Sequence, residues 1–483
     1  MKFIHSAMLF WHNGTMTNHN AHTTVVVIGG GPGGYEAALQ ARIHGARTVL
    51  IEEQGAGGSA VLTDVIPSKT LIASAAWMDN VRRAGKLQIT DESGEYKADV
   101  LGIFRRVSKL AAEQSAEISQ RLREAGVEIL QGRARIVPET GDNGRRIVIS
   151  GEYRFEADVV LVATGARPRK LPSAVPDGER ILTWKQIYHI KEVPEHLIVV
   201  GSGVTGAEFA AAFNSVGVKV TLVSSRDRVL PNNDPDAAEL IQRVFEDRGV
   251  NIKSNARAEA AHVEGDKVIV TLGDGEEIVG SHVLMAVGAI PNTDGIGLEE
   301  AGVKLDERGF IVTDRVSRTT ANRIYAAGDC TGVFLLASVA TAQGRIAMAH
   351  ALGDAVEPLR LDQVSANIFT NPEIASVGVT QAQIDSGEVD CVQYMLPVQR
   401  NARAKMRGID EGFVKIFARR NTRTIAGAVL CLQYAGEFIF PLTLAVRNRL
   451  TVDEFASTFT VFPSISGTIT ETARALHKIV GSE

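Results

Sequence analysis

Six glycines in two sets offer the first chemistry. In GGGPGG, Gly29, Gly31 and Gly34 stand at GxGxxG spacing; in GSGVTG, Gly201, Gly203 and Gly206 repeat it. Each set follows an apolar β-branched run, VVVI or LIVV, and leads into an Ala-rich helical pattern. In that setting the glycines have separate tasks. The first makes a tight turn, the second lets a pyrophosphate approach the backbone, and the third brings helix and strand close together. Free N–H groups and the helix dipole then hold the anion. Two copies in one chain predict two dinucleotide sites and an internal redox pair, FAD in the first and a nicotinamide cofactor in the second.

The tip of the next strand selects the nucleotide. Glu52 lies 52 − 29 = 23 residues beyond the first glycine of its set. A carboxylate there accepts hydrogen bonds from a ribose diol and repels a 2′-phosphate. In the second set Ser224 stands at the same distance, 224 − 201 = 23, with Arg226 and Arg228 close behind. A small neutral residue beside arginines suits a 2′-phosphate. The second site is therefore expected to take NADPH, with NADH also admitted; the alternative is that both arginines face solvent.

The elements that must position these residues fill a long chain. Its 483 residues exceed one hydrophobic core. Residues 23–166 and 293–358 are assigned to a discontinuous FAD-binding domain and 167–292 to an NAD(P)-binding domain. From 359 to 483 strands and then helices follow, an α+β tail. The strand-like runs ADVVLVATGARP, carrying Thr164 and Gly165, and SHVLMAVGAIPN, carrying Gly288, read as crossings between the modules. RIYAAGDC delivers Asp329 at the tip of an apolar strand. A net charge of −5 without a basic cluster gives no sign of nucleic-acid binding. No apolar run reaches the ~18 residues of a membrane span. Three cysteines without CxxC spacing suit a reducing cytoplasm, and eleven histidines without ligand spacing predict no metal. Residues 1–22 read as an extension, either a mis-assigned start or a disordered tail.

With these motifs assembled, the chain resembles the pyridine nucleotide-disulfide oxidoreductases, the group of lipoamide dehydrogenase and glutathione reductase. The likeness runs from about Thr23 to the C-terminus. It rests on both glycine sets, ATG, YAAGD and NPEIASVG. It implies an α/β fold of two Rossmann-like dinucleotide-binding domains plus a C-terminal α+β dimerisation domain, hence a homodimer. It also implies that Lys69 sits beside the flavin ring and pairs with Glu208, that Asp329 binds the ribityl chain, and that Val204 gates the nicotinamide pocket. Further FAD contacts implied by the likeness are Glu53, Gly58, Ser59, Ala134 and Ala337.

The departures are as informative as the matches. Where the family reads GGTCLNVGCIPSK this chain reads GGSAVLTDVIPSK, so Ala60 and Val65 replace both redox cysteines. Neither side chain can form a mixed disulfide. Where the family carries HxHPTxSE this chain has TVFPSISG, with Phe462 and Gly467 at the His and Glu positions. Two units of thiol chemistry have gone together. The pattern looks most like the NAD(P)H-quinone reductases of the lipoamide dehydrogenase-like branch, with shared text such as LPSAVPDGERILTW, GSGVTGAEF and NARAKM. That likeness implies hydride transfer from NADPH or NADH to FAD, then two-electron reduction of a quinone without a disulfide relay. Phe462, delivered by a partner subunit, would give the quinone an apolar wall. Arg400, Asn401, Arg403 and Lys405 are candidates to shape the entrance, or else form a solvated loop. Competing readings are an NAD(P)H oxidase, diaphorase or transhydrogenase, and a non-catalytic flavin-containing subunit. Cys330 follows Asp329 and is either a leftover thiol near the flavin or a buried small residue.

Overall fold

The computed structural model describes residues 22–89 and 96–480; the N-terminal extension, residue 22 apart, lies outside them. Two five-stranded parallel sheets form the frame. In the first, Thr24–Ile28 runs between Arg47–Glu52 and Val159–Val162, with Glu128–Gln131 and Ile324–Ala326 at the edges. In the second, His196–Val200 runs between Lys219–Val223 and His282–Met285, with Asn251–Lys253 and Ile181–Thr183 outside. The central strands are buried on both faces. That is why they read as unbroken β-branched runs, the signature of parallel strands covered by helices. In both sheets the glycine turn follows the central strand, where the order of connection reverses and open α/β sheets bind ligands.

The strands Ala166–Pro168 and Ala289–Pro291 pair antiparallel, so the two chain crossings lie side by side. The tail is a five-stranded antiparallel sheet ordered Ser365–Ile368, Glu373–Gly378, Ile425–Leu432, Phe413–Arg419 and Cys391–Pro397. The helix Ser466–Val480 packs against its last two strands.

One helix pair ties the parts together. Val100–Glu124 buries Val100, Phe104, Val107, Ala111, Ile118 and Leu122, one stripe at helical spacing, and Asp99 caps it by accepting from the Gly102 N–H at 2.8 Å. It packs on Val65–Arg83, which in turn lies against Val204–Ser215 of the second module. At the far end of Val65–Arg83 the Asp79 carboxylate is 4% exposed. It meets Arg82 at 3.2 Å, Arg248 at 3.3 Å and the Ser215 hydroxyl at 3.0 Å, and it accepts from the Asn371 amide at 2.5 Å. First module, second module and tail thus share one buried anion, which is tolerable because it is fully paired. A second such joint is the Lys415 ammonium, wholly buried at 2.7 Å from Asp234 and 2.5 Å from Asp236. No helix among the described residues is long and apolar enough to cross a membrane.

Candidate functional site

The two glycine turns are built alike. Gly29 and Gly201 take φ +101° and +110°, where a Cβ would lie 2.3 Å from the carbonyl oxygen of Ala163 or Ala286. At Gly34 and Gly206 a Cβ would lie 1.8 Å from the carbonyl of the set's own first glycine. At Gly31 and Gly203 nothing stands within 4 Å. The middle glycine therefore leaves an open cradle, and the helices Pro32–Ile43 and Val204–Ser215 start there without side-chain caps. Uncapped N–H groups facing open space suit a pyrophosphate.

A cavity of about 640 Å³ runs from the first cradle. Gly29, Gly31, Glu52, Glu53, Gly58, Ser59, Ala134, Thr164, Gly165, Asp329 and Ala337 all line it. It lies near the middle of the usual 300–1,000 Å³ range of small-molecule sites. Glu52 is set by its own loop: one carboxylate oxygen accepts from the Gly30 N–H and the other from the Gln54 N–H at 2.7 Å. Glu53 is exposed and pairs with Arg133 at 3.3 Å. The Thr164 hydroxyl donates to the Asn292 carbonyl at 2.7 Å, holding one crossing on the other. Asp329 stands three residues past the strand Ile324–Ala326, at the start of the turn Asp329–Thr331, and burial, then the charge of Asp64, raises its carboxyl to about 6. A cradle of N–H donors, a carboxylate at the tip of the second strand and a further carboxylate on the cavity wall fit FAD.

Lys69 and Glu208 are 139 residues apart and meet at 2.7 Å. The Glu208 side chain is 5% exposed, and its second oxygen accepts from the Phe369 N–H at 2.9 Å. The Lys69 ammonium also lies 4.9 Å from the Phe369 ring centroid. Helix Val65–Arg83 therefore presents a cation anchored by the second module and the tail. Val204, at the mouth of the second cradle, is 43% exposed.

At the second nucleotide turn Ser224 is fully buried. Its hydroxyl is 2.7 Å from that of Ser202, accepts from the Arg226 N–H at 3.1 Å, and reaches the Arg226 and Arg228 carbonyls at 3.1 and 3.2 Å. Ser224 thus shapes the loop, while the Arg226 side chain is exposed at its tip. Gly288, at φ +96°, closes the second crossing by accepting from the Arg169 N–H at 2.9 Å.

Not every expected residue gathers here. Phe462 is 87% exposed, beside Phe459 and Val461, and lies outside the cavity lining of its own chain. Asn401 turns inward: it caps the turn Ala402–Met406 and donates to the Ser464 carbonyl and the Thr468 hydroxyl, both at 2.9 Å, while Arg400, Arg403 and Lys405 are exposed. All three thiols are free and buried. Cys330 lies 3.3 Å from the Ala327 carbonyl, and burial pushes it up to about 11. Ala60 and Val65 both line the cavity. Among the lining residues not anticipated are Asp64 and Lys185. Burial raises the Asp64 carboxyl and lowers the Lys185 ammonium. Asp64 had a visible signal, since the family text GGTCLNVGCIPSK has glycine at its position; Lys185 had none.

Comparison with known proteins agrees with this architecture. The family model described as pyridine nucleotide-disulphide oxidoreductase matches residues 23–344, and its dimerisation domain matches residues 364–473. An NAD(P)H dehydrogenase (quinone) of Mycobacterium tuberculosis is 50% identical over 462 residues, 94% of each chain. A dihydrolipoyl dehydrogenase of Chlorobaculum parvum is 34% identical over 462 residues, 94% of this chain and 97% of that one. The crystal structure of LpdA from Mycobacterium tuberculosis superposes with TM-score 0.89 at 50% identity, covering 94% of this chain and 99% of the other. The chain belongs to the pyridine nucleotide-disulphide oxidoreductases, as a flavoprotein oxidoreductase that binds FAD and NAD(P)H.

Proposed function

We propose that this protein is an NAD(P)H-quinone oxidoreductase that passes two electrons from NADPH, and also NADH, through FAD to a quinone without a disulfide relay. One observation carries the reading. The cavity wall that holds a cysteine pair in the resembling enzymes is made here by Ala60 and Val65, while Cys330, Cys391 and Cys431 are buried. The name of the 50% identical relative, NAD(P)H dehydrogenase (quinone), supports it.

Bound FAD supplies a carrier that accepts a hydride equivalent and later gives two electrons to another acceptor. The chain does the rest. The Gly29–Gly31–Gly34 turn holds the pyrophosphate, Glu52 accepts from the ribose, and Asp329 accepts from the ribityl chain. Gly58, Ser59, Ala134, Thr164, Gly165 and Ala337 complete the wall. Lys69, anchored by Glu208, holds positive charge where electrons accumulate. Gly201, Gly203 and Gly206 hold the second pyrophosphate, the Ser224 loop presents Arg226 to the 2′-phosphate, and the small Val204 leaves the ring face open. Ala60 and Val65 give an unreactive wall, so the acceptor must reach the flavin itself. In a homodimer the exposed Phe462 supplies an apolar face for a flat ring.

Anaerobic stopped-flow mixing tests this. NADPH should bleach the flavin and menadione should restore its colour, at rates unchanged by prior alkylation of thiols. A flavin that stays bleached after menadione would sink the quinone assignment, and loss of turnover on alkylation would restore a thiol relay.

A further inference from the structure

Reduction of a quinone by NADPH consumes a proton: NADPH + H⁺ + quinone gives NADP⁺ + quinol. Thiol chemistry and the His–Glu pair are gone, and among the described residues no histidine or cysteine lines the cavity. Its acidic groups are Glu52, Glu53, Asp64, Asp294 and Asp329. Glu52 is held by loop N–H groups; Glu53 and Asp294 are exposed and paired with Arg133 and Arg167. Asp329 is occupied by the ribityl chain in the reading above. Asp64 is left.

Its geometry is unusual for an aspartate at a helix start. It is the N-cap of Val65–Arg83, where the carboxylate ordinarily accepts from the first turn of N–H groups. Here it makes no cap bond. Its main-chain carbonyl accepts the ordinary first helical bond from the Ser68 N–H at 2.8 Å, and the residue lines the cavity, one position before Val65. The carboxyl has no capping task, and its residue stands on the wall that also carries Ala60 and Val65.

We infer that Asp64 is the acid that completes the quinol. The O–H bond of its carboxyl breaks and the proton goes to a quinone oxygen. The two electrons and the other hydrogen come from the nicotinamide by way of the cofactor, and the Asp64 carboxylate regains a proton from solvent before the next turnover. This inference rests on the quinone reading above. The charges around Asp64 suit the task. Burial raises its carboxyl, Lys69 and Lys185 draw it back down, and Glu208 pushes it up. Asp329 lies close enough to be raised in turn, and the Tyr188 phenol, pushed well up by burial, also feels Asp64 and Glu208. Asp64 thus stands among two ammonium groups and two carboxylates, and burial favours its protonated form.

The test uses the FAD-loaded protein with Asp64→Asn and Asp64→Glu. Asp64→Asn should slow re-oxidation by menadione by roughly 100-fold or more, the low end of general acid catalysis, and far more than it slows bleaching by NADPH. It should also abolish the solvent deuterium isotope effect on re-oxidation, and Asp64→Glu should restore most of both. Re-oxidation of Asp64→Asn at the wild-type rate with the same pH profile overturns the inference. A second readout needs no variant to fold. The infrared difference spectrum between the oxidised and reduced wild-type protein should contain a protonated-carboxyl band, and its absence overturns the inference. Should no quinone re-oxidise the wild-type protein, the quinone reading falls by itself, and the infrared band still decides whether a cavity carboxyl carries the proton.

Discussion

The first and second nucleotide modules share a backbone and differ in what the backbone presents. The hypothetical clashes at their first glycines are both 2.3 Å, those at their third glycines both 1.8 Å, and both central strands are flanked in the same order. The strand tips diverge. Glu52 stands on the cavity wall with its carboxylate fixed by loop N–H groups, whereas Ser224 is buried and spends its hydroxyl on its own loop. Pyrophosphate binding is thus a steric demand met by one solution used twice. On the proposed function, nucleotide choice falls to a few side chains at those tips.

The largest effects should come from testing the shared part. Gly34→Ala and Gly206→Ala put a methyl against a carbonyl, costing about 3 kcal/mol, or roughly 100-fold in cofactor affinity. The first should empty the protein of FAD; the second should leave it yellow but unbleached by NADPH. Gly31→Ala should leave the melting temperature of the flavin-free chain unchanged and still weaken FAD binding, because its space is open until the pyrophosphate arrives. Equal melting losses at Gly31 and Gly34 would break the distinction between the open middle glycine and the packed third one.

A smaller effect tests the divergent part. Arg226→Ala should raise the KM for NADPH by a loss of about 2 kcal/mol, roughly 30-fold, with little change for NADH. Equal changes for both would place Arg226 in solvent and remove the charge contrast between the modules.

The smallest effect concerns Asp329, for which the second module has no counterpart. In the folded chain its carboxyl keeps a proton up to about pH 6, against 3.8 for an ordinary aspartate. Stability from this group is therefore complete below pH 3.8 and falls as pH rises to about 6. Asp329→Asn should remove about 1–2 kcal/mol of that pH dependence from the flavin-free chain, allowing for solvent screening. Hydroxyl donors on FAD favour the ionised carboxylate, so FAD binding near pH 5 should release a proton, measurable by calorimetry in buffers of different ionisation enthalpy.

Much of this was legible in the sequence, for particular reasons. A β-branched run followed by GxGxxG and a helical pattern, found twice, reads as a dinucleotide turn because each glycine meets a separate steric need. Lys69 and Glu208 became a pair through the family likeness; their 139-residue separation carries no local signal. Direction was what the sequence text hid. Ser224 and the arginines after it read as one nucleotide-facing patch, yet the serine points into its own loop. Asn401 sat in a charged run and reads as entrance, yet it is a buried cap. Asp64 showed itself only as a departure from the family glycine, and its uncapped carboxyl is visible only in the structure. Spacing specifies which face a residue shares, but an N-cap or loop residue has no fixed face to share.

The wholly buried Lys415 also bears on how such chains evolve. Its ammonium belongs to the tail, and both of its counter-ions, Asp234 and Asp236, belong to the second module. Leaving either side without the other strands a charge in the interior, at a cost of about 3–5 kcal/mol. Glycine turns this alike suggest parts that recombination can trade freely. The lysine withdraws that freedom, because a transplanted tail must bring its two aspartates with it, and the units are inherited as one.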